Sequence, residues 1–225
     1  MLEFLLALPV LLVSVVAHEY AHGLAALSQG DSTAADHGRL TFNPIKHIDP
    51  WMSLLLPAML WFGSNGQFVF GGAKPVPVNP NNFRNYKRGD IIVSSAGIVA
   101  NLALFAVFLA LSMLVGIVGG MLPFALDGLI IIQRMFLLGV WLNALLAFFN
   151  LIPIPPLDGS HILYHFLPPN LAQKYRELAR YGFLILLGMM ILFRDYFFLL
   201  LTPAVMATRF AFDLVQPFLL QSAPF

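Results

Sequence analysis

Long apolar runs alternate with shorter polar ones along this chain, and the run lengths set its architecture. Residues 4 to 27 are uncharged up to His18, residues 91 to 118 carry no charge, and residues 128 to 149 carry only Arg134. Each run is long enough for the roughly 20 apolar residues that a helix needs to cross a bilayer, so three membrane spans are predicted. Residues 51 to 62 are apolar but number only twelve, contain Pro57, and are bracketed by Asp49-Pro50 and Gly63-Ser64-Asn65-Gly66. That length suits a buried or re-entrant segment better than a crossing. Further on, residues 181 to 193 and 196 to 215 are separated by Arg194-Asp195 and read as two short helices or one long tilted helix. The expected fold is an all-α polytopic membrane protein with four to six transmembrane helices. A short re-entrant or β-like segment lies between the first two long spans, and residues 1–225 form a single domain.

Composition agrees. The chain is 59% hydrophobic and 10% charged, with a mean hydropathy of +0.82, against roughly 45–50% apolar residues in soluble domains. A net charge of +1, with the twelve Lys and Arg scattered, offers no basic footprint, so no nucleic-acid partner is expected. Cysteine is absent, which excludes disulfides, thiolate nucleophiles and Cys-ligated metal centres. Any metal must rest on histidine and carboxylate. Met1-Leu2-Glu3-Phe4 lacks the basic stretch of a secretory signal, so the first helix is expected to be retained.

Basic residues cluster on the cytoplasmic side of membrane proteins, and their positions orient the spans. With the N-terminus outside and residues 51 to 62 dipping in and returning, the stretch 28 to 90 lies inside with Arg39, Lys46, Lys74, Arg84, Lys87 and Arg88. The connection 119 to 127 lies outside, and residues 150 to 180 lie inside with Lys174, Arg176 and Arg180. Nine of the twelve basic residues are then cytoplasmic, which favours this orientation over its inverse.

The candidate chemistry begins at His18-Glu19-Tyr20-Ala21-His22, toward the end of the first apolar run. Histidines four apart on a helix share one face and can reach one metal ion. In such an HExxH arrangement the glutamate is not a ligand; it takes a proton from a metal-activated water, which then attacks a carbonyl carbon. Ionisable side chains inside a bilayer are costly and usually functional. A catalytic zinc generally takes three protein ligands. The best third candidate is Asp158, in Asn150-Leu151-Ile152-Pro153-Ile154-Pro155-Pro156-Leu157-Asp158-Gly159, a stiff non-helical segment that the assigned topology brings to the same side as His22. Asp158 also suits a helix N-cap, and the two roles can coexist.

With both motifs in this order, the chain resembles the site-2 proteases, intramembrane zinc metalloproteases. His37-Gly38-Arg39-Leu40-Thr41-Phe42-Asn43-Pro44 and Ala73-Lys74-Pro75-Val76-Pro77-Val78-Asn79-Pro80 look like stretches of the family's small prokaryotic members, which lack the PDZ and CBS domains of some relatives. The resemblance implies one zinc ion per chain held by His18, His22 and Asp158, Glu19 as general base, and Asn150 assisting substrate or oxyanion binding. It implies cleavage of a peptide bond in or near the transmembrane helix of a membrane-protein substrate, that is, regulated intramembrane proteolysis. The setting would be the cytoplasmic membrane of a prokaryote, with the lipid bilayer as the other partner. The alternative is a metal-ion transporter or channel using the same His and Asp groups.

Other polar positions have blander readings. His161 and His165 are a rival metal pair at the same spacing, but they lack the intervening glutamate, and solvated or aromatic packing roles are preferred. Asn101 and Asn143, inside spans, are read as interhelical hydrogen-bond partners, with the option that either lines the site. His37 and the His47-Ile48-Asp49 cluster are read as turn hydrogen-bonders. Gly71-Gly72-Ala73-Lys74-Pro75-Val76-Pro77-Val78 favours extended backbone and is expected to clamp an unwound substrate by strand addition.

Overall fold

A computed structural model describes residues 2–55, 59, 62 and 72–220. Helix α1 (Leu2–Gln29) is followed by the four-residue α2 (Thr33–Asp36), by short helical turns at Pro44–His47, Pro50–Leu55 and Pro80–Asn82, and then by α3 (Tyr86–Met121) and α4 (Leu126–Asn150). A proline-rich linker leads into α5 (Asp158–Tyr164) and α6 (Pro169–Leu178), and the chain continues through α7 (Gly182–Leu192), α8 (Arg194–Leu200) and α9 (Thr202–Val215). Among the described residues no strand is assigned, and residues 72–79 are extended without a ladder partner.

Side-chain pairings fix how the long helices run. His22 meets Val93, while His18 and Ser14 meet Asn101, so α1 and α3 are antiparallel. Asn101 meets Asn143 and Ser112 meets Gln133, so α3 and α4 are antiparallel too. The Arg84 N–H donates to the Gln29 carbonyl at 2.9 Å. Residues 30–83 therefore leave α1 and return to α3 at the same end of the bundle, as expected for a stretch that does not cross. Of the segment expected to be re-entrant, residues 51 to 62, positions 56–58, 60 and 61 lie outside the described residues.

Helices in lipid gain little from apolar contact with one another, so close packing and interhelical hydrogen bonds hold them. Residues such as Val99, Val107, Leu114 and Ile131 face outward, as lipid-facing side chains do. Inside, a Cβ on Gly139 would lie 2.6 Å from the Phe108 ring, so α3 and α4 approach as closely as glycine permits. Ser14, Asn101 and Asn143 are fully buried. Asn101 Nδ2 donates to Asn143 Oδ1 (2.9 Å), and Asn143 Nδ2 donates to Ser14 Oγ (2.8 Å), tying three helices at one level.

Among the described residues three helices are long and apolar enough to cross a membrane, over Leu5–Gln29, Tyr86–Met121 and Pro123–Asn150. A fourth span requires taking together Pro169–Leu192 and Arg194–Leu200, which bend by 107° at their junction. The upper part of the expected range of four to six has no helix to carry it among the described residues. Residues 181–215 break into three short helices where one or two were expected. Phe193 leaves the helical conformation, with φ −120° and ψ 42°, and Pro203 opens the next helix from its first turn. The eleven residues of α7 reach about 16 Å, short of a roughly 30 Å hydrocarbon layer.

Beyond α1, the fully buried Asp31 organises the return path. Its carboxylate accepts from the Thr33 N–H and hydroxyl, from the Asn79 N–H (2.7 Å) and from Asn82 Nδ2 (2.7 Å). Burial pushes the Asp31 carboxyl up, but these bonds to the charged form outweigh it and hold the pKa below the ordinary aspartate value. A carboxyl with a lowered folded-state pKa stabilises the fold above its unfolded value, about pH 4, and loses that contribution as pH falls through the folded value. Asp31→Asn should cost about 1–3 kcal/mol at neutral pH. Thermal unfolding in detergent should show the gap to wild type closing on acidification; a gap independent of pH would contradict this account.

Candidate metal centre

Helix α1 carries His18 and His22 one turn apart on one face, and α3 receives that face. His18 Nδ1 lies 2.6 Å from Asn101 Oδ1. His22 Nδ1 lies 2.7 Å from the Val93 carbonyl. Both neighbours present acceptor oxygens, because the Asn101 amide spends its Nδ2 on Asn143 and on the Ser14 carbonyl. Each imidazole must therefore donate from Nδ1, which fixes the tautomer and leaves Nε2 as a bare lone pair. Between Val93 and Asn101 sits Gly97, where a Cβ would lie 2.5 Å from His18 Cε1 and His22 Nε2. Only glycine leaves room for the two rings.

Asp158 completes the group from the other side. Ile152 and Leu157 of the proline-rich linker are buried against Leu186, Phe197 and Leu201, which anchors this irregular segment. Gly159 lies so close to the end of α4 that a Cβ there would meet the Leu151 carbonyl at 2.1 Å. The aspartate's own turn is thereby seated against α4, and its carboxylate faces α1. Asp158 Oδ2 is 3.4 Å from Nε2 of His18 and 3.4 Å from Nε2 of His22, while the two Nε2 atoms are 3.0 Å apart. Leu157, not Asp158, occupies the N-cap of α5, and Asp158 is the first residue of the helix.

These distances are the fit test for a cation. Two lone pairs 3.0 Å apart repel, since neither nitrogen has a proton to offer the other. Asp158 Oδ2 is buried and has no hydrogen-bond partner. Two imidazole nitrogens and a carboxylate oxygen, all aimed at one point, suit a divalent metal, and zinc accepts this ligand set.

Glu19 follows His18 on α1 but points roughly 100° around the helix from it. Its Oε2 accepts from the Val76 N–H at 2.8 Å. The segment that brings Val76 there is a strap along α1. The Lys74 N–H donates to the His47 carbonyl (2.8 Å), and Arg39 Nη2 donates to the carbonyls of Lys74 (2.9 Å) and Pro75 (3.3 Å). Gly23, one turn after Glu19, lets the strap approach: a Cβ there would lie 3.2 Å from Val76 Cγ1. The N–H groups of Lys74, Val76 and Asn79 are committed to the protein, and Pro75 and Pro77 have none. The expected clamp thus holds Glu19 in place, with those donors not on offer to a substrate strand; Gly71 lies outside the described residues.

His18, His22 and Asp158 come together, with Glu19 on the same helix. Asn150 ends α4, where its Nδ2 donates to the Leu146 carbonyl at 3.0 Å. His161 and His165 do not join the group and pair instead with Asp90. His165 packs against Tyr86 and Tyr164, as the aromatic reading anticipated. Turn hydrogen bonding at His37 and His47 is also seen. Sequence reasoning missed Gly97 and Arg39. The first carried a usable signal, a glycine four residues before a buried asparagine in an otherwise apolar helix.

Fold and donor set together define a class, the polytopic membrane metallopeptidases with a His-Glu-x-x-His helix. The family model of peptidase family M50 matches residues 6–192, and the chain belongs to that family, the site-2 proteases. By family it is a metalloprotease. It is 39% identical over 178 residues to "Putative zinc metalloprotease YwhC" of Bacillus subtilis (strain 168), covering 79% of this chain and 76% of that protein. It is 30% identical over 219 residues to "Putative zinc metalloprotease Rip2" of Mycolicibacterium smegmatis, covering 96% of this chain and 73% of that protein. No solved structure gives a significant match.

A methyl group at residue 97 would force both imidazoles aside. Gly97→Ala should weaken metal binding on the order of 10- to 100-fold, the usual cost of disturbing what orients a ligand. Gly120→Ala, on the same helix with open space around it, should leave binding unchanged. Competition with a chromophoric chelator measures both, and equal affinities would contradict the cradle.

Proposed function

We propose that residues 1–225 act as a single intramembrane zinc metalloprotease domain, with one zinc ion per chain held by His18, His22 and Asp158. The observation that carries this reading is the convergence of two bare Nε2 atoms, on a helix long and apolar enough to cross a membrane, on a buried carboxylate oxygen without a partner, with Glu19 on that same helix. The relatives' printed names support zinc as the metal.

Bound there, zinc would supply Lewis acidity, making a nucleophile of water and polarising the scissile carbonyl. Glu19 acts as general base, accepting the proton of the attacking water and delivering it to the leaving nitrogen. The Val76 N–H holds Oε2, which leaves Oε1 for that transfer. Asn150 assists substrate or oxyanion binding with the amide hydrogen not given to Leu146. The substrate is a peptide bond in or near a transmembrane helix of a membrane protein, cut in regulated intramembrane proteolysis. The protein sits in the cytoplasmic membrane with its site toward the cytoplasm. Nine of the twelve basic residues lie in the stretches that join the spans at the metal-site end, which supports that orientation.

The buried polar groups beyond the site argue against an ion path. Ser14, Asn101 and Asn143 are fully buried and bonded to one another, which makes them a plug between helices rather than a conduit.

Purified Glu19→Gln protein should retain stoichiometric zinc and lose at least about 100-fold in cleavage of a single-span membrane peptide. His18→Ala and His22→Ala should lose both zinc and cleavage. Wild-type cleavage by Glu19→Gln would sink the mechanism.

A further inference from the structure

A second acid–imidazole cluster joins α3 to α5. Asp90, 6% exposed, offers Oδ2 to His165 Nε2 at 2.7 Å and Oδ1 to His161 Nδ1 at 3.3 Å. Both carboxylate oxygens are engaged, one by the half-exposed His161 within α5 and one by His165, the residue that caps the end of that helix. The His165 side chain is buried, with Tyr86 and Tyr164 against its ring. A buried carboxylate is costly unless paired, so this geometry is closely determined.

The place of Asp90 on α3 gives the cluster its meaning. Asp90, Val93, Gly97 and Asn101 are spaced at 3, 4 and 4 residues and so form one stripe along that helix. Val93 orients His22, Asn101 orients His18, and Gly97 makes room for both rings. The fourth member grips α5, whose first residue is Asp158, three residues before His161. Seven residues of helix following a proline-rich linker are marginal alone, and such an element needs outside anchors. Gly159 seats its start against the Leu151 carbonyl. Without a second anchor α5 could still rotate about its axis. A rotation of about 20° would move a carboxylate roughly 5 Å from that axis by nearly 2 Å, well beyond the ~0.5 Å tolerance of a working site.

We propose that Asp90 is a positioning residue for the metal centre: through His161 and His165 it fixes the rotation of α5 and so aims the Asp158 carboxylate at His18 and His22. The proposal rests on Asp158 being the third ligand. On that basis α3 orients all three ligands from one face.

The test uses the full chain in detergent, with zinc affinity read by chelator competition and ligand geometry read from the visible spectrum of the cobalt-substituted protein. Asp90→Ala and Asp90→Asn should bind zinc about 10- to 100-fold more weakly, and should shift the cobalt bands in the same direction as Asp158→Ala. Combining Asp90→Ala with Asp158→Ala should weaken zinc no further than Asp158→Ala alone, because the effect runs through that one ligand. Should Asp90→Ala fail to fold, Asp90→Asn and His165→Gln carry the same comparison. Wild-type zinc affinity and cobalt spectrum with only a lowered melting temperature would overturn the proposal, leaving Asp90 a staple between helices. Additive losses in the double variant would overturn it as well. Unchanged zinc binding in Asp158→Ala would instead remove the ligand reading itself, and the proposal with it.

Discussion

Two imidazole lone pairs and a carboxylate oxygen held within 3.4 Å of one another, partly buried between apolar helices, are the interaction on which the rest of this structure depends. Such groups repel in that arrangement unless a cation lies among them, and removing charge from water is expensive. The protein therefore has to hold them against their own preference. It does so with the neutral parts of its neighbours: a backbone carbonyl at Val93, a side-chain carbonyl at Asn101, and the empty space over Gly97.

This constraint explains features that look unrelated along the chain. Asn101 can orient His18 only because its own amide is oriented by Asn143 and Ser14, which ties the site to the packing of α1, α3 and α4. The linker ahead of Asp158 cannot be helical, since its prolines must deliver the chain sideways; Ile152 and Leu157 keep that irregular backbone in place by burial. On the opposite flank Asp31, Arg39 and His47 have no chemistry of their own. They hold the strap that presents the Val76 N–H to Glu19.

Much of this could be read from the sequence, and the part that could not is instructive. Run lengths announced α1, α3 and α4 because a span needs a fixed number of apolar residues. The candidate ligands His18, His22 and Asp158, which the fold brings together, were legible because ionisable groups are conspicuous among apolar ones. The orienting groups were harder to read: Val93 acts through a backbone carbonyl, which leaves no chemical signature, and Gly97 acts through the absence of a side chain, marked only by its place four residues before Asn101. The pairing of Asp90 with His161 and His165 joins residues some 70 positions apart, beyond the reach of local pattern. Within residues 181–215 the charged pair Arg194-Asp195 marked one break, which falls beside it at Phe193, whereas the break before Pro203 went unread.

X-ray absorption at the zinc edge of the purified, metal-loaded protein tests the centre most directly, because imidazole scattering can be counted. The account predicts one zinc per chain with two imidazole ligands and the remaining donors oxygen. A shell with fewer than two imidazoles, or a wild-type protein that holds no stoichiometric zinc, would contradict it.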